Sequence, residues 1–72
     1  MPNLRKLKRR EYDELEQALL DVEEAEADFG RPAGNHYKLM QLLHRLFGLM
    51  HLDKIEMKRV AQEAINNGFE PD

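Results

Sequence analysis

Seventy-two residues make one domain at most, with no cysteine for a disulfide and a net charge of -3. A chain this short buries only ~60% of the surface it exposes when unfolded, so a partner, including a second copy, would be a natural source of further stability. The composition, 42% hydrophobic and 35% charged, fits a foldable chain. The longest apolar-rich stretch, Leu39 to Leu52, is interrupted by Gln41, His44, Arg45 and His51, and is well short of the ~20 residues a bilayer requires. No targeting segment is read at the N-terminus, where acids follow the basic run in place of an apolar core. The expectation is a soluble, cytoplasmic protein.

The charges are sorted along the chain. Residues 5 to 10 read Arg5-Lys6-Leu7-Lys8-Arg9-Arg10, five cations in six positions. Residues 11 to 28 then hold nine carboxylates and no Lys or Arg. Blocks of like charge repel themselves and pull on opposite charge elsewhere.

Strand signals are absent, because valine and isoleucine occur twice each and threonine not at all. Helical periodicity runs throughout. Tyr12, Leu15, Leu19 and Val22 follow a 3-4-3 spacing, with Leu20 and Ala25 flanking the stripe. The spacing predicts a first helix over about 8–28. Gly30 and Pro32 then break the pattern, and Asn35 reads as an N-cap. A second helix is expected from about 36 to 50. Its Tyr37, Leu39, Met40, Leu42, Leu43, Leu46, Phe47, Leu49 and Met50 cover most of its circumference, as a central helix would.

Asp53 with Glu56 forms a capping-box pair, and Leu52 with Met57 is placed for a hydrophobic staple. A third helix is expected over about 54–67, with Met57, Val60, Ala61, Ala64, Ile65 and Ile55 on its apolar face. Gly68 reads as the C′ residue, with Phe69 folding back onto Ala64 or Ile65. The fold class is therefore all-α: a small three-helix domain over 11–69, a basic N-terminal arm over 1–10, and a tail over 70–72.

Chemistry has little footing. The chain has no serine, no cysteine and no glycine-rich phosphate loop, so no catalytic residue and no cofactor are assigned. His44 and His51 stand seven apart with Gly48 between them. Two ligands two helical turns apart do not make a metal site, which takes four, and Gly48 is read as permitting close helix approach. The stretch from Val60 to Phe69 lacks a following recognition helix and is not a DNA-reading motif.

Binding is better supported. The basic block with Leu4, Leu7 and Tyr12 mixes cations, apolar anchors and an aromatic, as protein-binding segments do. Leu4, Arg5, Lys6, Leu7, Lys8, Arg9, Arg10 and Tyr12 are the candidate partner-binding residues. Cations at a helix N-terminus oppose the macrodipole, which argues against a role in stability. An apolar surplus at Met40, Phe47, Leu49 and Met50 is a second candidate contact surface.

The opening Met1-Pro2-Asn3-Leu4-Arg5-Lys6-Leu7-Lys8-Arg9-Arg10, with a charged, cysteine-free helical body after it, resembles the small phage-encoded regulators that bind host RNA polymerase. The resemblance implies a non-enzymatic transcription regulator that grips the polymerase with its N-terminal arm. A second reading is a nucleic-acid-binding protein using the same arm on phosphates, although the acidic domain makes a poor footprint. A third is a homodimeric inhibitor built on the apolar surface of the second helix.

Overall fold

The computed structural model describes residues 4–28 and 34–71. Three helices follow in chain order: α1 (Arg9–Ala27), α2 (Gly34–Phe47) and α3 (Lys54–Asn66). The architecture is the small all-α domain expected. Leu15, Leu19 and Val22 of α1 meet Leu39, Leu42, Leu43 and Leu46 of α2 and Met57, Val60, Ala61 and Ala64 of α3 in one core. Each helix packs against both of the others, so α2 has the neighbours on two sides expected of it, and the longest helix, α1, makes the most extensive contacts.

Local chemistry explains the best-defined boundary. At the start of α3 the Asp53 carboxylate accepts the Glu56 N–H at 2.8 Å, and Glu56 accepts the Asp53 N–H at 3.3 Å. Both bonds satisfy donors that a helix N-terminus leaves open. Leu52 packs against the same core in which Met57 is buried. Gly68 takes φ +77° after the Asn67 C-cap and closes α3 as expected, its N–H donating to the Ile65 carbonyl at 2.9 Å.

Helix α2 departs from expectation at both ends. Gly34 is already helical, so Asn35 lies inside the first turn, and its side chain donates to the Asp21 carbonyl of α1 at 3.2 Å. It ties two helices together and caps nothing. The other end falls at Phe47, three residues before Met50, because Gly48 turns left-handed at φ +71°. Gly48 is thus a terminator, its N–H donating to the His44 carbonyl at 2.8 Å. No neighbour comes within 4 Å of where its Cβ would stand, so close helix approach is not its role. His51, itself at φ +59°, lies beyond the helix and shares no face with His44. The expected roles of Gly30 and Pro32 fall outside the described residues.

Several expected core positions are instead at the surface. Leu20, Tyr37, Met50 and Ile55 are among the exposed large hydrophobics, Ile55 reaching 65%. Ile55 sits about half a turn away from the Met57–Val60–Ala61–Ala64 stripe and points outward. The apolar surplus of α2 is mostly covered: Met40, Phe47 and Leu49 pack against the core, and Met50 alone of the four is exposed.

Candidate functional site

The basic segment is folded onto the body and does not extend from it as an arm. Leu7 has no exposed surface and belongs to the core, with Leu4 packed beside it. Leu7 pairs with Phe69 in an isolated parallel bridge, and the Glu70 N–H donates to the Leu7 carbonyl at 2.8 Å. The two ends of the described chain therefore hold each other. The Phe69 ring lies 5.0 Å from that of Tyr12 in α1, tilted by 60°, a favourable aromatic arrangement.

Arg5 fixes the segment from the other side. Its guanidinium donates to both carboxylate oxygens of Glu11, at 3.1 and 2.9 Å, and its Nε donates to the Leu46 carbonyl at 3.2 Å. That carbonyl belongs to the last turn of α2, where acceptors lack helical donors and positive charge is favoured. The same guanidinium stands 5.9 Å from the Phe47 ring centroid. Glu11 in turn accepts the Lys8 N–H at 2.9 Å and thereby caps the start of α1. The Arg5 fork, followed by the Lys8 N–H, holds the Glu11 carboxyl down to about 2. One cation of the block is thus consumed by the fold.

The other cations divide. Arg9 leans over the Phe69 ring at 5.5 Å and approaches Asp13 at 4.0 Å. Lys6, Lys8 and Arg10 are exposed, and no ion pair among the described residues holds their side chains. Lys8, Arg9 and Arg10 line an open cleft of about 630 Å³ with Glu11, Glu14, Arg45 and Leu46. Both carboxylates of that cleft are already paired, Glu11 with Arg5 and Glu14 with Arg45. Free positive charge therefore faces outward beside half-buried Tyr12 and Phe69, which is 37% exposed.

Of the eight candidate residues, Lys8, Arg9 and Arg10 line one cleft, Arg9 and Tyr12 meet through Phe69, and Lys6 is exposed. Arg5 is committed to Glu11, Leu4 packs on the core, and the side chain of Leu7 has no surface to offer a partner. Phe69 belongs to the surface and was not a candidate, because its contact with Tyr12 joins opposite ends of the sequence and leaves no local signal.

The acidic helix is also partly committed. Glu26, near the end of α1, accepts from Lys58 of α3 at 2.8 Å and lies 3.0 Å from His36 Nε2 of α2. Those two bonds, with Lys58 the stronger influence, hold its carboxyl below the ordinary range. Glu16, Glu23 and Glu24 are exposed and enter no ion pair among the described residues. No group of His, Cys, Asp or Glu able to hold a metal occurs among those residues, and no described helix is long and apolar enough to cross a membrane. No family model, curated protein or solved structure matches the chain.

Proposed function

We propose that the protein is a non-enzymatic interaction module that regulates a larger assembly by binding an acidic surface on it. The supporting observation is the division of the basic block: Arg5 is spent on the fold, while Lys6, Lys8 and Arg10 stay exposed and unpaired beside the Arg9–Phe69–Tyr12 cluster. Aromatic and arginine side chains packed together at a surface are the usual anchors of protein interfaces. Surrounding free cations steer an acidic partner and set its register. RNA polymerase is the leading target, by the resemblance of residues 1–10 to polymerase-binding regulators. A duplex is less suitable, since the acids along α1 repel a polyanion that extends past the basic patch.

The test is equilibrium binding of the purified chain to nuclease-treated bacterial RNA polymerase, compared with a Lys6→Glu/Lys8→Glu/Arg10→Glu variant. These three positions make no ion pair among the described residues, so the variant should keep the helical circular dichroism of the parent. Loss of binding by the variant supports the reading. Full retention, or no binding by the native chain, removes the polymerase assignment. Binding that needs nucleic acid transfers the patch to phosphates.

A further inference from the structure

We propose that the cleft between the start of α1 and the end of α2 seats the carboxylates of an acidic partner segment, and that Glu14 occupies Arg45 there until such a segment displaces it. This rests on the reading of the basic block as the contact for an acidic partner. It adds the place where the partner's carboxylates sit and the group that competes with them.

Lys8, Arg9 and Arg10 come from the start of α1 and Arg45 from the last turn of α2, so cations of two helices line one open cleft of about 630 Å³. That volume is within the ~300–1,000 Å³ of ligand pockets. Its lining, however, is charged, and the one apolar residue described there, Leu46, is itself buried. Such a cleft suits anionic groups and offers an apolar ligand little. Arg9 and Arg10 also stand at the positive end of the α1 dipole, where a bound carboxylate relieves what their own charge adds.

The two carboxylates of the cleft are not equivalent. Glu11 is held from outside it, by the Arg5 guanidinium, so its charge is neutralised without using a cation of the lining. Glu14 pairs instead with Arg45, which belongs to the cleft itself. Both side chains are more than half exposed, and an exposed pair of this kind holds weakly. Glu14 is thus an internal carboxylate standing where an external one would bind. Glu14 and Arg45 also line the neighbouring cleft, where Lys38 is exposed and enters no ion pair among the described residues. A displaced Glu14 therefore has another cation to turn toward, and the buried contacts of α1 with α2 are untouched.

Fluorescence anisotropy of a short fluorescein-labelled oligoglutamate peptide, titrated with the full chain at low ionic strength, tests the arrangement. The native chain should bind it, and Arg10→Gln and Arg45→Gln should each weaken binding about two- to fivefold, as exposed charge pairs do. Glu14→Gln should tighten binding by a similar factor. Removing any acid makes the chain less negative, so Glu16→Gln, at an exposed and unpaired carboxylate outside the cleft, sets the baseline that Glu14→Gln must exceed. In the Glu14→Gln background Arg45→Gln should cost more than in the native chain, because Arg45 no longer has an internal partner to give up. Circular dichroism checks that each variant keeps its helices. Three results would each overturn the proposal: no peptide binding by either the native chain or Glu14→Gln, a Glu14→Gln gain no larger than that of Glu16→Gln, or an Arg45→Gln variant that binds as the native chain does. Polymerase takes no part in this assay, so the cleft can fail the test while polymerase binding stands, and polymerase binding can fail while the cleft still takes the peptide.

Discussion

Replacing Leu7 by alanine separates two descriptions of the basic segment. Were residues 4–8 an arm lying on a finished domain, the substitution would cost almost nothing. In this structure Leu7 is completely buried and held between core and C-terminal segment, with Glu70 bonded to its carbonyl. Burying a leucine contributes about 1.5–3 kcal/mol relative to leaving it exposed. Truncation to alanine in a core costs about 2–5 kcal/mol, less where the surroundings collapse into the cavity. Leu7 sits between the two ends of the described chain, a place able to relax, so the lower half of that range applies: about 2–3 kcal/mol. A domain of this size has roughly 4–10 kcal/mol in total. The loss is therefore a large share, and the melting temperature should fall by roughly 10–20 °C, at 4–8 °C per kcal/mol for small domains. Urea unfolding followed by circular dichroism measures the first quantity and a thermal melt the second. A loss under about 1 kcal/mol, the level of an ordinary surface substitution, would show that the segment is separable and refute its placement in the core.

The Glu11 carboxyl, held down to about 2 from an ordinary 4.5, is a group with a depressed folded pKa. Its contribution is present above pH 4.5 and is lost as the pH falls toward 2. Because the Arg5–Glu11 pair is largely exposed, the amount is about 1 kcal/mol, and Glu11→Gln should flatten that part of the acid limb in a urea series. Asp53→Ala removes the α3 cap and should cost about 1 kcal/mol, read as a lower urea midpoint with an unchanged slope. Gly48→Ala meets no steric neighbour but forces alanine to a left-handed φ of +71°, so a destabilisation of about 1–2 kcal/mol is expected in the same assay. A neutral result there would mean that α2 continues past Phe47.

What was legible in the sequence was local. The Asp53–Glu56 box and Gly68 place α3 within a residue, because a cap involves groups three or four positions apart. The far end of α2 was obscured by its own composition. Leu49 and Met50 continue the apolar pattern of Leu43, Leu46 and Phe47, and only the conformation of Gly48 shows that the helix has stopped. Asn35 satisfies the statistics of a cap, yet its amide finds a carbonyl on another helix, a preference that no local pattern encodes. The candidate surface was half visible for the same reason. Five cations in six positions announce a binding segment, and they mask the leucine among them, Leu7, whose burial depends on the shared core and the bridge to Phe69 at the other end of the sequence.

The macrodipole argument against a stabilising role for the basic block holds for part of it. Cations in the first turn of α1 do oppose that helix, and Arg10 remains in that position. Arg5, however, lies before the helix, and the dipole it meets is the C-terminal end of α2, where its Nε bonds the Leu46 carbonyl. For Arg5 the same field has the opposite sign. The block therefore contains two populations that one-dimensional reading merges: Arg5, whose surroundings favour positive charge and which serves folding, and Lys6, Lys8 and Arg10, which no carboxylate among the described residues neutralises. Charge that is unfavourable or merely solvated on the free chain has the most to gain from an acidic surface on a partner.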